Sequence, residues 1–191
     1  MRTEIYGEKI ILKAYEKSFV PLLFEAASEA KGVDFSYWMP WCHENYTIEE
    51  SREFIEKTVE NWKNTDDVWR EDMQYGYVIF DAETGKFLGG IGLNKPNAEH
   101  KFFNLGYWVR TSEQNRGIAS RATLALAKTA FKDLPELNRI EIFVAVENIP
   151  SQKAAEKSGA TREGILRKRL IIGGRIHDAV MFSFVREDFQ I

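Results

Sequence analysis

The chain has 191 residues, of which 44% are hydrophobic and 29% are charged, a composition that excludes a disordered or fibrous protein. Its formal net charge is −3, from 26 basic and 29 acidic residues, so no excess of charge attracts it to nucleic acid or to anionic lipid. We therefore expect one globular domain over residues 1–191 that binds neither nucleic acid nor membrane.

The few cysteines and histidines limit the chemistry further. Cys42 is the single cysteine, which excludes an internal disulfide and fits a reducing compartment. Cys42 precedes His43, which raises the alternative of a thiol nucleophile, but we favour a neutral filler residue. The three histidines show no metal-binding spacing, so we predict no metal. The N-terminal segment is too charged for a signal peptide, which favours a cytoplasmic protein.

The first third of the chain predicts a strand and two helices. A strand begins at residues 10–12, and residues 17–30 are helical in pattern, with Pro21 placed in the first turn. An aromatic loop then leads to Thr47-x-x-Glu50, which is a capping box. Apolar residues on one face extend the second helix to about residue 63.

The rest of the chain alternates between strands and helices. The predicted helix after residue 117 is apolar around most of its circumference, so we expect it to pack on a sheet. The predicted order is β-α-α-β-β-β-α-β-α-β-β, with a two-glycine hairpin at the end. The fold class is therefore α/β (α+β), a mixed and mostly antiparallel sheet of about seven strands flanked by about four helices. The later elements are strands at 75–80, 87–93, 102–110, 139–144, 162–172 and 175–185, and helices at 118–131 and 150–158.

The turn at residues 114–120 suggests an anion site at the start of a helix. The first N–H groups of a helix have no intrahelical partner, and the helix dipole adds partial positive charge there. Gly117 permits close approach to the backbone, while Ala119 and Ser120 keep the first turn small. Such a turn accepts a phosphate or pyrophosphate, and Arg116 adds a charge at its rim. The alternative is an ordinary strand-to-helix connection, because short glycine motifs are common.

The neighbouring residues resemble a known family, the GNAT N-acetyltransferases, and in particular the branch of the ribosomal-protein alanine N-acetyltransferases. The matching pieces follow in the family's order over residues 100–188, whereas the first hundred residues resemble it more loosely. The pieces are Leu105-Gly-Tyr-Trp-Val109, Gln114-x-x-Gly117-x-Ala119, Leu137-Asn-Arg-Ile-Glu-Ile142, Glu147-Asn-x-x-Ser151, Glu156-Lys-x-Gly-Ala160 and Arg162-Glu-Gly164.

The resemblance implies acetyl-coenzyme A as the donor, with no metal. It implies that the loop after the third central strand holds the pyrophosphate, and that the end of this strand carries a bulge, splays from its neighbour and pairs with the pantetheine arm. Asn148 matches an asparagine that contacts this arm, and Ser151 lies near the sulfur. The implied cofactor-binding residues are Tyr107, Trp108, Val109, Gln114, Asn115, Arg116, Gly117, Ile118, Ala119, Ser120, Asn148 and Ser151.

Several of these residues have a structural alternative. Asn148 could simply cap the helix that begins near Pro150. Ser151 could be a solvated serine of the first helical turn. The Trp108 side chain is more typical of a core, although its backbone could still bind the cofactor.

The implied reaction is direct attack by a primary amine on the thioester in a ternary complex. Val109 N–H would stabilise the oxyanion, and Ser151 would protonate the departing thiolate. The base is open: Glu141 is a candidate unless it is merely salt-bridged, and Glu99 and His100 are others. Many family members have a carboxylate where this chain has Asn104, which mildly favours an α-amine or another amine of low pKa.

The acceptor groove is predicted between the aromatic loop and the final hairpin. The expected substrate-binding residues are Phe35, Tyr37, Trp38 and Trp41, although these aromatics could equally be a lid over the core. We expect the acceptor to be a protein or peptide N-terminus or a small amine, and the resemblance implies a possible homodimer. The alternatives are a non-catalytic sensor of acyl-coenzyme A and transfer of a longer acyl group.

Overall fold

The computed structural model describes residues 1–30, 37–39, 41–63 and 66–190, and within them the chain forms eight strands and four helices. Short 3₁₀ turns lie at Lys17–Phe19, Thr111–Glu113 and Arg186–Phe189. The strands are β1 Glu4–Gly7, β2 Ile10–Ala14, β3 Tyr75–Asp81, β4 Phe87–Asn97, β5 Phe102–Val109, β6 Arg139–Ala145, β7 Thr161–Ile172 and β8 Arg175–Val185. The helices are α1 Val20–Ser28, α2 Ile48–Lys63, α3 Ile118–Asp133 and α4 Ile149–Lys157.

All eight strands join one sheet in the order β1-β2-β3-β4-β5-β6-β8-β7. Every pairing is antiparallel except that of β5 with β6. The predicted mixed, mostly antiparallel fold is therefore confirmed. The additional strand is β1, a four-residue edge strand in which Ile5 is buried while Tyr6 is 71% exposed. So short a strand with one buried residue leaves no clear alternation in the sequence.

Helices cover the two faces of the sheet, as the predicted patterns require. On one face α3 buries Leu126, Ala130 and Phe131 against the largest core cluster. On the other face α1 and α2 bury Leu23 and Ile55 against a second cluster. The interior strand β3 is covered on both sides, which explains why its sequence is continuously apolar and does not alternate.

The sheet opens between β5 and β6. These parallel strands pair only from Phe102 with Arg139 to Asn104 with Glu141, after which β5 pairs with β4 alone. The predicted splay is confirmed, but the predicted bulge in this part of β5 is wrong. The β5 ladder with β4 is regular from Asn104 to Val109. Irregularities lie in β4 between Asn94 and Asn97, opposite the start of β5, and where β4 gains a residue opposite Ile79 and Phe80 of β3.

A buried arginine fixes the end of β5. Arg110 is 7% exposed at its side chain and donates to the carboxylates of Glu25 in α1 and Glu29 just after it, as well as to the Phe87 carbonyl. The Arg110 guanidinium holds the pKa of Glu29 below its usual value, chiefly through the hydrogen bond between them. Arg110 therefore anchors the segment that leads into α3.

We expect Arg110→Met to destabilise the fold by about 2 kcal/mol, because its removal leaves the Glu29 carboxylate, which is 28% exposed, without its charged partner. The free energy of unfolding, measured by urea titration, tests this. Arg52→Met is the matched control: Arg52 pairs with Glu49 where the two side chains are 50% and 65% exposed, so its loss should cost less than about 1 kcal/mol. Equal costs at the two positions would contradict the anchoring role.

The same variant has an expected pH dependence. The folded-state pKa of Glu29 is lowered, so its pair stabilises the protein above the unfolded pKa of about 4.3, and this contribution is lost as the pH falls through the lower folded value. The stability difference between wild type and Arg110→Met should therefore shrink below about pH 4.

Candidate active site

The loop between β5 and α3 presents a row of backbone donors. Gly117 is the N-cap of α3 in the left-handed conformation, with φ 71° and ψ 15°. Within the described ranges, the N–H groups of Gly117, Ile118, Ala119 and Ser120 donate no hydrogen bond to a protein acceptor. The Ser120 hydroxyl donates to the Gly117 carbonyl at 2.9 Å, which tightens the turn. Four consecutive donors at a helix N-terminus form a site for an anion.

Gly117 is required here by its backbone conformation. A φ of 71° is strained for residues with a side chain, and a Cβ would lie 3.1 Å from Nη1 of Arg121. That same Arg121 nitrogen donates to the Arg116 carbonyl at 3.0 Å, so Arg121 holds the turn from the α3 side.

The loop charges are largely paired with one another. The buried carboxylate of Glu113 contacts both Lys86 and Arg116. The hydrogen bond from Lys86 makes the largest contribution and Arg116 adds to it, and together they hold the pKa of Glu113 below its usual value. Arg116 therefore points to Glu113 and is absent from the wall of the adjacent cavity, unlike the other residues predicted for this loop.

A cavity of about 500 Å³ fills the gap between β5 and β6. It extends from the donors of the α3 N-terminus to the start of α4, and Trp38 and Met39 border it. The predicted cofactor-binding residues that line it are Tyr107, Trp108, Val109, Gln114, Asn115, Gly117, Ile118, Ala119, Ser120, Asn148 and Ser151.

The backbone of β5 faces this cavity. Arg110 N–H donates to the Leu88 carbonyl on the β4 side. Because successive residues of a strand direct their backbone groups to opposite sides, Val109 N–H points toward the gap. The Val109 carbonyl on the same side accepts a bond from the Gln114 amide at 3.4 Å. The predicted position of Val109 N–H is thus compatible with an oxyanion donor.

Two hydroxyls meet at the start of α4. Tyr107 Oη donates to the Ser151 carbonyl at 2.9 Å, and Ser151 Oγ lies 3.1 Å from the same Tyr107 oxygen. Because the phenol proton goes to the carbonyl, Ser151 Oγ is the donor of the second bond. Asn148 caps the helix, since its side chain accepts from Ser151 N–H at 3.2 Å, and it also lines the cavity. The capping alternative for Asn148 is therefore confirmed, and its contact with the pantetheine arm stays a prediction.

The sequence reasoning considered only the backbone of Tyr107 and missed the contact of its side chain with Ser151. Burial raises the pKa of Tyr107 to about 12, and the hydrogen bond with Ser151 opposes this shift. The phenol therefore stays protonated at neutral pH. A Tyr two residues from the end of the strand, on the same side as Val109, was the available signal.

The candidate bases lie away from the cavity. Glu141 is bound by Arg139 at 2.8 Å, which is the salt-bridged alternative, and Asn104 donates to Asn94 at 2.9 Å. Neither Glu141 nor Asn104 lines the cavity. Glu99 and His100 are exposed in the turn before β5, at the opposite end of this strand from Val109.

In the aromatic loop, one residue supports the alternative of a pocket wall and another supports the alternative of a lid over the core. Trp38 lines the cavity, whereas Trp41 packs on Trp108 with ring centroids 5.3 Å apart. Tyr37 Oη contacts Nε2 of His177 at 2.8 Å. Phe35 lies outside the described residues.

Several cavity residues were not predicted. Lys153 and Lys157 are exposed on α4 one turn apart and line the cavity, as do Leu170 and Ile172 of β7. The spacing of the two lysines on a predicted helix was a signal that the sequence contained. Leu170 and Ile172 could not be placed from sequence, because the curvature of the hairpin decides what they cover.

Other chemistry receives no support from the described residues. Cys42 is buried and its thiol donates to the Ala27 carbonyl at 3.1 Å. In the ranges that the structure covers, no group of three His, Cys, Asp or Glu side chains is arranged to hold a metal. None of the described helices is long and apolar enough to span a membrane.

Two parallel strands separate here, and an anion-binding helix N-terminus lies beside the gap. This arrangement is that of a protein that binds a phosphorylated, extended ligand between two strands of its sheet. The comparisons with known proteins identify the family. Residues 9–161 match the family described as "Acetyltransferase (GNAT) domain". This is most of the chain, so the chain belongs to the GNAT acetyltransferase family, as its sequence motifs indicated. It is an acetyl-coenzyme A-dependent N-acetyltransferase.

Individual relatives agree with this assignment. YdaF of Bacillus subtilis is 32% identical over 106 residues, which span 56% of this chain and 57% of that protein. The ribosomal-protein-serine acetyltransferase of Escherichia coli is 26% identical over 134 residues, 70% of this chain and 72% of its own. The structure of RimL, a ribosomal L7/L12 alpha-N-protein acetyltransferase in complex with coenzyme A, is 23% identical and shares the fold with a TM-score of 0.80, covering 95% of this chain and 97% of that one.

Proposed function

We propose that this enzyme acetylates the α-amine of a protein or peptide, with acetyl-coenzyme A bound between β5 and β6. The observation that carries the proposal is the row of unpaired N–H groups from Gly117 to Ser120 at one end of the β5–β6 cavity. These donors suit a diphosphate, Lys153 and Lys157 add positive charge, and the free edge of β5 suits the amide groups of a pantetheine arm.

The residues of this chain would act by positioning and by proton transfer. Acetyl-coenzyme A supplies a thioester carbonyl that a neutral amine attacks directly. Val109 N–H is placed to donate to an oxygen that gains negative charge. Ser151 would give up a proton from Oγ to the thiolate, Tyr107 Oη at 3.1 Å would turn its own proton onto Ser151, and water would return a proton to Tyr107. In this proposal both Ser151 and Tyr107 serve the departing thiol.

An α-amine suits this site better than a lysine side chain. Glu113 is the sole carboxylate among the described residues that line the cavity, and it is occupied by Lys86 and Arg116. At pH 7 about one in seven α-amines is neutral, against about one in 2,500 lysine amines, so a lysine acceptor needs a base much more. The names of the relatives, a ribosomal-protein-serine acetyltransferase and an alpha-N-protein acetyltransferase, support a protein α-amine.

Thiol release with matched peptides tests this proposal. One peptide has a free N-terminus and no lysine, and its partner has a blocked N-terminus and one lysine. We expect release of coenzyme A with the first peptide at least tenfold faster than with the second. Faster release with the lysine peptide would contradict the α-amine assignment. Binding of acetyl-coenzyme A without release above background for any amine would favour the non-catalytic sensor.

We also propose that residues 1–191 form one domain, that the protein is cytoplasmic, that it forms a homodimer and that it has no nucleic-acid partner. Sedimentation of the purified chain tests the homodimer.

A further inference from the structure

A carboxylate, an imidazole and a phenol form a hydrogen-bonded series beside the cavity. His177 Nδ1 lies 3.2 Å from Oε2 of Glu147, and His177 Nε2 lies 2.8 Å from Oη of Tyr37. A carboxylate only accepts hydrogen bonds, so Nδ1 carries the proton of the neutral ring. Nε2 is then an acceptor, and Tyr37 donates to it.

None of these three side chains lines the cavity itself, but each residue is adjacent to one that does. Glu147 precedes Asn148, and Tyr37 precedes Trp38. His177 is paired across the β7–β8 hairpin with Leu170, which also lines the cavity. Trp38 packs edge-on against both Tyr37 and His177, with ring centroids 4.9 and 6.0 Å apart. The three groups therefore lie behind the part of the wall that Trp38, Leu170 and Asn148 form.

The members of this hydrogen-bonded series differ in how far their side chains are exposed. The His177 side chain is 10% exposed, whereas that of Glu147 is 58% exposed. Glu147 is therefore the end of the series that is open to water.

We propose that Tyr37, His177 and Glu147 form the proton relay that deprotonates the acceptor amine. The inference rests on the proposed function. An N–H bond of the acceptor ammonium breaks as an O–H bond forms on Tyr37. The original Tyr37 O–H bond breaks as Nε2–H forms on His177, and the resulting imidazolium keeps its Nδ1–H bond to Glu147. Tyr37 is the residue that contacts the amine, His177 is the proton acceptor, and Glu147 is a positioning residue.

The groups that face the His177 ring come from three elements. The aromatic loop contributes Tyr37 and Trp38, and the segment after β6 contributes Glu147. On the hairpin itself, the neighbouring Asp178 accepts from Lys168 N–H, and Arg169 lies over the Phe143 ring at 4.1 Å. Among the described residues, Glu147 is thus the charged group in contact with the imidazole.

His177→Gln tests the relay with two acceptor peptides that differ only in amine basicity. The first has an ordinary N-terminal residue, and the second has a trifluoroalanine N-terminus, whose amine is neutral at pH 7. About one in seven α-amines is already neutral at pH 7, so loss of the relay that deprotonates the ammonium should lower kcat by up to about sevenfold on the first peptide. On the second we expect less than a threefold loss. Tyr37→Phe, which removes a single oxygen, should give the same pattern.

The control and the contrary outcomes separate this inference from the proposed function. His100→Gln alters an exposed histidine outside the cavity and should leave both acceptors unaffected. Equal losses on the two peptides, or no loss with either variant, would overturn the relay while the wild type still acetylates α-amines. A wild type that acetylates neither peptide would instead overturn the proposed function, and the relay with it.

Discussion

Replacement of Gly117 with Trp should weaken the binding of acetyl-coenzyme A by at least 100-fold while the fold persists. The side chain would extend from a position where the neighbouring N–H groups are unpaired and would exclude a diphosphate from them. The left-handed backbone at φ 71° adds a strain of about 1–2 kcal/mol for any residue with a Cβ, which a domain of this size tolerates. Isothermal titration calorimetry measures the affinity.

Gly85→Trp is the control for this substitution. Gly85 has a φ of 70°, and a Cβ there meets no atom within 4 Å. It lies in the β3–β4 turn and does not line the cavity, so it reproduces the backbone strain without the obstruction. We expect wild-type affinity from Gly85→Trp. Unchanged affinity in Gly117→Trp would refute the phosphate site.

Loss of the two hydroxyls at α4 should reduce turnover far more than cofactor affinity. We expect Ser151→Ala to lower kcat by about 100-fold and to change the dissociation constant of acetyl-coenzyme A less than threefold, because a proton donor acts in the transition state. Tyr107→Phe should lower kcat as well, since Tyr107 would restore the proton of Ser151. Steady-state kinetics with a peptide acceptor, together with calorimetry, provide both quantities.

The double variant distinguishes a shared proton path from two separate roles. If Tyr107 acts through Ser151, the double variant should be no slower than Ser151→Ala alone. Ser112→Ala is a control, since Ser112 is an exposed serine that contacts Glu29 outside the cavity. Full kcat in Ser151→Ala would remove Ser151 as the acid.

Most of the fold could be predicted from the sequence because its long elements have strong local signals. The apolar circumference of α3, the capping box before α2 and the Gly173-Gly174 turn each depend on residues close together in the chain. β1 lacked such a signal, since burial of Ile5 depends on pairing with β2 and on packing against α3. The bulge was misplaced because hydrogen-bond register between strands is not encoded in a single strand.

The backbone donors of the candidate site could be predicted from the sequence, whereas the contacts of its side chains could not. The donors at Gly117 follow from local helix geometry, which a short motif specifies. The contact between Tyr37 and His177 joins residues 140 positions apart, and Arg116 meets a buried carboxylate that also binds Lys86. Such partners are chosen by tertiary packing, so the sequence placed Arg116 at a phosphate and Glu141 among the bases.

The measurement that tests the central claim most directly is the NMR chemical shift of the amides of Gly117, Ile118, Ala119 and Ser120 during two titrations. One titration uses acetyl-coenzyme A, and the other uses acetyl-pantetheine, which lacks the diphosphate. We expect the four amide protons to move strongly downfield with acetyl-coenzyme A and to remain nearly unchanged with acetyl-pantetheine. Saturable binding of acetyl-coenzyme A that leaves these four amides unmoved would contradict the account.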